Sequence, residues 1–415
     1  MQTASHPQKW PHVLLSIGNL TGLVLYFGAA GLLVMSSLFD FLVPSTDQTG
    51  DPASSFLLAC GLGLCALAFI PAAIYSLQRA LGKPIRPAHI RRARVWQVIA
   101  IVLAWVGSVL LSNLLFEKFS LGWLAAAPFF LAAVGLPVAA LAWIGIGGLP
   151  FGSRNRFWSS LTVSMTAGPL IAALLEFGLG LGLLIIAVMA LVLRPDWLST
   201  LQQLTNQLSN LTDFDQGAQL LAPYLVNPVA VTAMFLVMSV FIPLIEEAVK
   251  PLVVWVSGRR LRSPAEGFAL GVLCGAGFAL VEGLAAASSP SPGWGSLLAA
   301  RAGGSLMHIT ATGLMGWAIA SAWQGKRLRL VWTYLLSVTL HGLWNSAAVL
   351  AILGTLQMYL HESGGNSLAN TLSLAAGGII AVIVPVILAV LILVNRRLQS
   401  APPTQSDIIA PVTSQ

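Results

Sequence analysis

Long apolar runs alternate with short polar connections along almost the whole chain. Ten stretches, approximately 13–39, 55–78, 95–116, 121–148, 160–193, 229–256, 264–287, 299–323, 330–354 and 371–395, each hold the roughly 20 mostly apolar residues that a helical membrane span needs. The pattern predicts an all-α, polytopic helical membrane protein of about ten transmembrane helices. It divides the chain into a cytoplasmic N-terminus (1–12), a five-span region (13–193), an extracytoplasmic connection (194–228), a four-span core (229–354), a final loop and span (355–395) and a disordered cytoplasmic tail (396–415).

The connections sort by charge. One set carries Arg79, Lys83, Arg86, Arg91, Arg92 and Arg94, then Arg154 and Arg156, then Arg259, Arg260 and Arg262, then Lys326, Arg327 and Arg329. The opposite set has only Lys118 and Arg194 as basic residues, among Asp40, Asp47, Asp51, Glu117, Asp196, Asp213, Asp215 and Glu362. By the positive-inside rule the first set, with Lys9 and Arg396–Arg397 at the two ends, is cytoplasmic. A bacterial cytoplasmic membrane is the expected location, and the first run is expected to remain as a span because it is too long for a signal-peptide core.

Within the connection 194–228, Trp197, Leu201, Leu204, Leu208 and Leu211 recur at four- and three-residue steps among polar residues, which predicts an amphipathic helix. Such a helix either packs on the end of the bundle or acts as a lid or docking helix. Asn210-Leu211-Thr212 also fits the weak glycosylation sequon. The fifth run is over-long and contains Gly168, Pro169 and a lone Glu176, so a kink or a partly re-entrant path is expected there.

Composition narrows the class. With 57% hydrophobic and 8% charged residues, the chain departs from soluble domains, in which about a quarter of residues are charged. The net charge of +7 is explained by the basic ends of the spans, and no nucleic-acid partner is expected. Cys60, Cys65 and Cys274 all lie in apolar runs and read as small core residues.

Against this background the ionisable residues inside spans stand out, because each costs about 2.5–3.5 kcal/mol at membrane depth even on the lenient insertion scale. Glu246, Glu247 and Lys250 share the sixth run, Glu282 lies in the seventh, His308 in the eighth, and His341 with Asn345 in the ninth. Residues four apart share a helix face, so Glu246 is set beside Lys250, Phe278 beside Glu282 and His341 beside Asn345. Counted at about 1.5 Å per residue from the cytoplasmic ends, Glu246 and His341 lie roughly 15 Å deep, His308 about 20 Å and Glu282 about 25 Å. Four helices can therefore aim these groups at one layer.

The chemistry these groups suit is hydrolysis, by either of two routes. A carboxylate can take a proton from water while His341 and Asn345 align it and receive the oxyanion. Alternatively, His308 and His341 with one glutamate match a catalytic zinc shell with an open position for water, where a further glutamate acts as base; Glu246 and Glu282 are the candidate carboxylates. A Glu247–Lys250 ion pair is expected beside them, and Arg301, near the end of its run, is expected to anchor at the interface. Gly267, Gly271 and Gly275, every fourth residue, predict close helix packing in the seventh span.

At these residues the chain resembles the PrsW family of intramembrane proteases, and more distantly the CAAX prenyl proteases and bacteriocin-processing enzymes. Glu246-Glu247-x-x-Lys250 is similar to the family's first motif, Phe278-x-x-x-Glu282 to the second, His308 to the third and His341-x-x-x-Asn345 to the last; together they cover roughly residues 225–350. The resemblance implies an endopeptidase, metallo- or glutamate-dependent, that cleaves a membrane-anchored protein such as an anti-sigma factor. It implies that Glu246 activates water, that His341 and Asn345 bind the oxyanion or the metal, that Glu247 pairs with Lys250, and that Glu282 and His308 complete the site. A proton-coupled transporter or channel would also place Glu, Lys and His in the membrane, but the first half holds no second copy of the Glu-Glu-x-x-Lys stretch. A protease-like scaffold that binds without cutting is the third reading, disfavoured because every motif position is intact.

Overall fold

The computed structural model describes residues 10–43, 51–193, 195–209, 211, 214–291, 293–360 and 367–400. Asn210 and Thr212 of the sequon, and residues 401–415 of the expected tail, lie outside them.

The described chain is all-helical apart from one isolated bridge between Pro87 and Ser153. The helices are α1 (Trp10–Leu42), α2 (Pro52–Ala80), α3 (Val95–Lys118), α4 (Gly122–Ile146), α5 (Arg154–Val192), α6 (Pro195–Leu208), α7 (Phe214–Leu225), α8 (Pro228–Leu236), α9 (Ile242–Val249), α10 (Leu252–Ser257), α11 (Pro264–Ala286), α12 (Trp294–Trp323), α13 (Arg327–Leu360) and α14 (Ser367–Gln399). A π turn, Val237–Phe241, joins α8 to α9, and a 3₁₀ turn, Gly258–Arg260, follows α10.

Among the described residues, nine helices are long and apolar enough to cross a membrane, with α8 through the 3₁₀ turn counted as one continuous span, Pro228–Arg260. The protein is an integral, multi-pass membrane protein. The eighth of the ten expected spans corresponds to α12, whose 30 residues reach about 45 Å at 1.5 Å each. It falls short in hydropathy because Arg301, Ser305, His308, Thr310 and Thr312 interrupt it. Residues 304–316 of this helix are all buried, so protein rather than lipid surrounds them.

Three other expectations change. Of the two alternatives for the fifth span, the re-entrant path gives way to one continuous helix of 39 residues with Pro169 inside it. The sixth is interrupted at Lys250-Pro251, where a proline cannot donate the helical hydrogen bond. The connection after α5 forms two amphipathic helices instead of one: α6 stops at Leu208, Leu211 lies beyond it, and α7 begins at Phe214.

The chain forms two compact units, and α5, α13 and α14 each contribute residues to both. The first comprises Met1–Pro169, Lys250–Ser337 and Ile387–Gln415, and the second Leu170–Val249 and Val338–Val386. In the first unit, Phe130 stacks on Trp294 within a core that includes Leu57, Phe69, Met165, Leu284 and Leu298. The Trp294 indole donates to the Ala287 carbonyl at 2.8 Å, which satisfies its one polar atom. In the second unit, Ala222 of α7 packs with Val349, Leu353 and Leu356 of α13, while Tyr224 of α7 and Leu198, Leu201 and Leu208 of α6 remain exposed.

Candidate active site

In the first unit the site is built by glycine. α11 meets α12 at backbone distance: a Cβ on Gly271 would lie 2.3 Å from the Thr312 carbonyl oxygen, and one on Gly275 would lie 2.5 Å from that of His308. From α12 the approach is the same, since a Cβ on Gly316 would lie 2.2 Å from the Gly267 oxygen. Any side chain at these positions would force the helices apart. This contact sets His308 against α11, on which Glu282 follows Gly275 by two turns.

The consequence is a chain of polar contacts. His308 Nε2 lies 2.7 Å from Glu282 Oε2, and Arg301 reaches the same oxygen at 3.0 Å. On the other side of the ring, Lys250 Nζ lies 2.6 Å from His308 Nδ1. The Phe278 ring stacks obliquely on His308, and the Lys250 ammonium sits 4.8 Å from that ring's centre. An ammonium can only donate, so His308 Nδ1 accepts and Nε2 carries the proton that Glu282 receives. Lys250, His308 and Glu282 thus form a hydrogen-bonded series in which the imidazole is neutral.

In the second unit the π turn does the positioning. It inserts an extra residue into the helical turn just before α9 and so rotates the face on which Glu246 and Glu247 appear. α13 docks on this turn at Gly342, where a Cβ would lie 2.3 Å from the Ser239 oxygen. Asn345 Nδ2 donates to the Met238 carbonyl at 2.7 Å, and Ser346 Oγ donates to Ser239 Oγ at 3.0 Å.

One turn before Asn345, His341 places Nδ1 2.9 Å from Glu247 Oε1 and Nε2 3.9 Å from Glu246 Oε2. All three side chains are buried, Glu247 completely. Glu247 receives the Nδ1 proton, which leaves the Nε2 lone pair directed at Glu246.

The structure adds pairings between helices that spacing along one helix could not give: Glu247 with His341 and Lys250 with His308. Asn345 gives its amide to a backbone carbonyl of the π turn. Arg301 is not an interfacial anchor: its side chain is 14% exposed and ion-paired with Glu282. Its role could have been suspected from its place seven residues before His308, on the same helix face. Glu176 is half-buried on α5, among exposed Leu174, Leu175 and Phe177.

The residues fit a metal ion by chemistry. Within the second unit, the buried Glu246 and His341 offer a carboxylate and an imidazole, donor types that hold zinc. The 3.9 Å between Glu246 and His341 Nε2 is within the roughly 4 Å that one ion with bonds of about 2.0–2.2 Å can bridge. A carboxylate behind the imidazole, as Glu247 stands here, is the usual support of a ligating histidine.

No curated protein and no solved structure matches the chain. The sequence profile of the PrsW family intramembrane metalloproteases does match, over residues 168–392. That interval is more than half of the chain, takes in every motif residue, and extends well to either side of the stretch that carries the motifs. By that match the chain belongs to the PrsW family of intramembrane metalloproteases, and it is a peptidase of the membrane.

Proposed function

We propose that this peptidase cleaves a membrane-anchored, single-span protein substrate, with Glu246 and His341 at the centre of the reaction. The observation that carries the reading is the buried series Glu247–His341–Glu246, in which one carboxylate fixes an imidazole and the other faces its second nitrogen. Glu246 takes the proton of the attacking water and returns it to the departing amine. Glu247 holds His341 in the tautomer whose Nε2 carries the lone pair. The series Lys250–His308–Glu282, braced by Arg301, holds His308 as a neutral imidazole that can pass a proton between Lys250 and Glu282.

The metal proposed is zinc, which His341 would hold through Nε2 beside Glu246, the carboxylate that keeps its role as the base. When bound, zinc lowers the pKa of a coordinated water to about 7 and polarises the scissile carbonyl. We place the protein in a bacterial cytoplasmic membrane with both termini cytoplasmic, on the basis of the basic connections. An anti-sigma factor is the kind of substrate that the family resemblance suggests.

The test uses a co-expressed single-span substrate that the wild type cleaves. Glu246→Gln and His341→Ala should each abolish cleavage at unchanged protein level, and purified His341→Ala should lose the bound zinc. Full cleavage by Glu246→Gln overturns the assignment of Glu246, and activity that survives without any bound metal overturns the zinc.

A further inference from the structure

The first unit has a cavity of mixed character, about 560 Å³ in volume, with no motif residue in its lining. It lies between α1, α2, the start of α5, α10 and the 3₁₀ turn that follows. Its volume is in the range of small-molecule sites, about 300–1,000 Å³. Three separate elements bring arginine to it, Arg79 from α2, Arg156 from α5 and Arg260 from the 3₁₀ turn, and α1 adds His12.

No acidic side chain is among the described residues lining it. Arg156 is taken up by an ion pair with Glu266, so the charge left facing the cavity is that of Arg79 and Arg260. Uncharged hydrogen-bonding groups stand beside them: Asn155, Ser159 and Ser160 line the cavity and are buried at 7%, 6% and 3% exposure. Apart from Ser153 and Ser257, the remaining wall is apolar and includes Leu15, Val163, Leu252 and Val253.

A ligand that satisfies both parts carries a phosphate and a hydrocarbon chain. We infer that this cavity binds an anionic phospholipid, its headgroup phosphate between Arg79 and Arg260 and the start of an acyl chain along Leu15, Val163 and Val253. Guanidinium groups match phosphate oxygens bidentately. Basic pockets between membrane helices are suited to acidic headgroups in the same way. Free phosphate shares the headgroup chemistry but gains nothing from the apolar wall.

The experiment uses the full-length protein, delipidated in a neutral detergent and titrated with phosphatidylglycerol, phosphatidylcholine or inorganic phosphate. Thermal stability and retained lipid, counted by native mass spectrometry, are the readouts. Phosphatidylglycerol should bind with a stoichiometry of one and raise the melting temperature, while the other two leave it unchanged. Arg79→Gln/Arg260→Gln should weaken that binding about thirtyfold, from about 1 kcal/mol per cation near an anionic headgroup. Arg91→Gln/Arg92→Gln, on an exposed segment outside the cavity, should not.

Should the double variant fail to fold, Val163→Trp provides the second test. It fills the apolar part, leaves the arginines in place, and should also abolish retention. Equal binding of phosphatidylcholine, an equal effect of inorganic phosphate, or undiminished retention by both cavity variants would each overturn the inference.

Discussion

At the scale of single residues, the two adjacent glutamates differ in kind. Glu246 faces His341 Nε2, whereas Glu247 holds Nδ1. Glu246→Gln is therefore expected to leave no measurable turnover, while Glu247→Gln should lower metal affinity or cleavage rate about 10–100-fold, the usual effect of losing the support of a ligating histidine. Cleavage rates measured beside metal content separate the two, and equal losses would contradict the division of roles. Arg301 and Glu282 form a second coupled pair. A double-mutant cycle with Arg301→Gln and Glu282→Gln should return a coupling of about 0.5–3 kcal/mol in stability, and a cycle that closes to zero would show that the contact is incidental. The sequence made every one of these residues visible as a polar group where lipid should be, except Arg301. What it could not give was their partners. Spacing along one helix places only neighbours on that helix, and the pairing of Glu247 with His341 depends on a rotation that the π turn at Val237–Phe241 imposes.

At the scale of helices, small residues decide the distances that the chemistry needs. Gly271→Leu should destabilise the protein by at least the roughly 1–3 kcal/mol of an overpacked core, since its side chain would meet the Thr312 backbone. Cleavage should fall with it as α11 carries Glu282 away from His308. Gly63→Ala in α2, where nothing lies within 4 Å of an added Cβ, is the control. It should be neutral or stabilising by up to about 1 kcal/mol. Thermal melts of both variants in one detergent check the contrast. Asn345→Ala removes the amide that holds the Met238 carbonyl. Interhelical hydrogen bonds in membranes average about 0.6 kcal/mol, so the variant should fold. It should nevertheless lose activity, because the π turn that aims Glu246 is no longer held. The every-fourth-residue glycines of α11 were legible in the sequence as close packing. The π turn was not, because Val237–Phe241 is as apolar as any helical run and its widened geometry depends on a partner on α13. The amphipathic connection was legible in type but not in number, since Leu211 continues the apolar spacing beyond the point where α6 ends.

At the scale of the whole molecule, the number of crossings depends on α12. Nine described helices qualify by length and apolarity, and nine crossings would put the two termini on opposite sides of the membrane. The charges argue for ten. Arg327 and Arg329, at the start of α13, and Arg396 and Arg397, at the end of α14, share a side with the basic residues 79–94 only if α12 also crosses. Its low hydropathy does not oppose this. Insertion cost falls on residues exposed to lipid, and the central residues of α12 are buried against glycines of α11. α12 is therefore expected to cross as a pair with α11, neither helix being fit to face lipid alone along its whole length. Reporter fusions after Arg262, in the short segment between Ala286 and Trp294, after Lys326 and after Gln399 decide the matter. The expected readings are cytoplasmic, extracytoplasmic, cytoplasmic and cytoplasmic. In the Gly271→Leu background, where the pair cannot close, the reporter after Lys326 should become partly extracytoplasmic. A C-terminal reporter that reads extracytoplasmic in the wild type would mean that α12 does not cross, and it would remove the charge argument on which the proposed orientation rests.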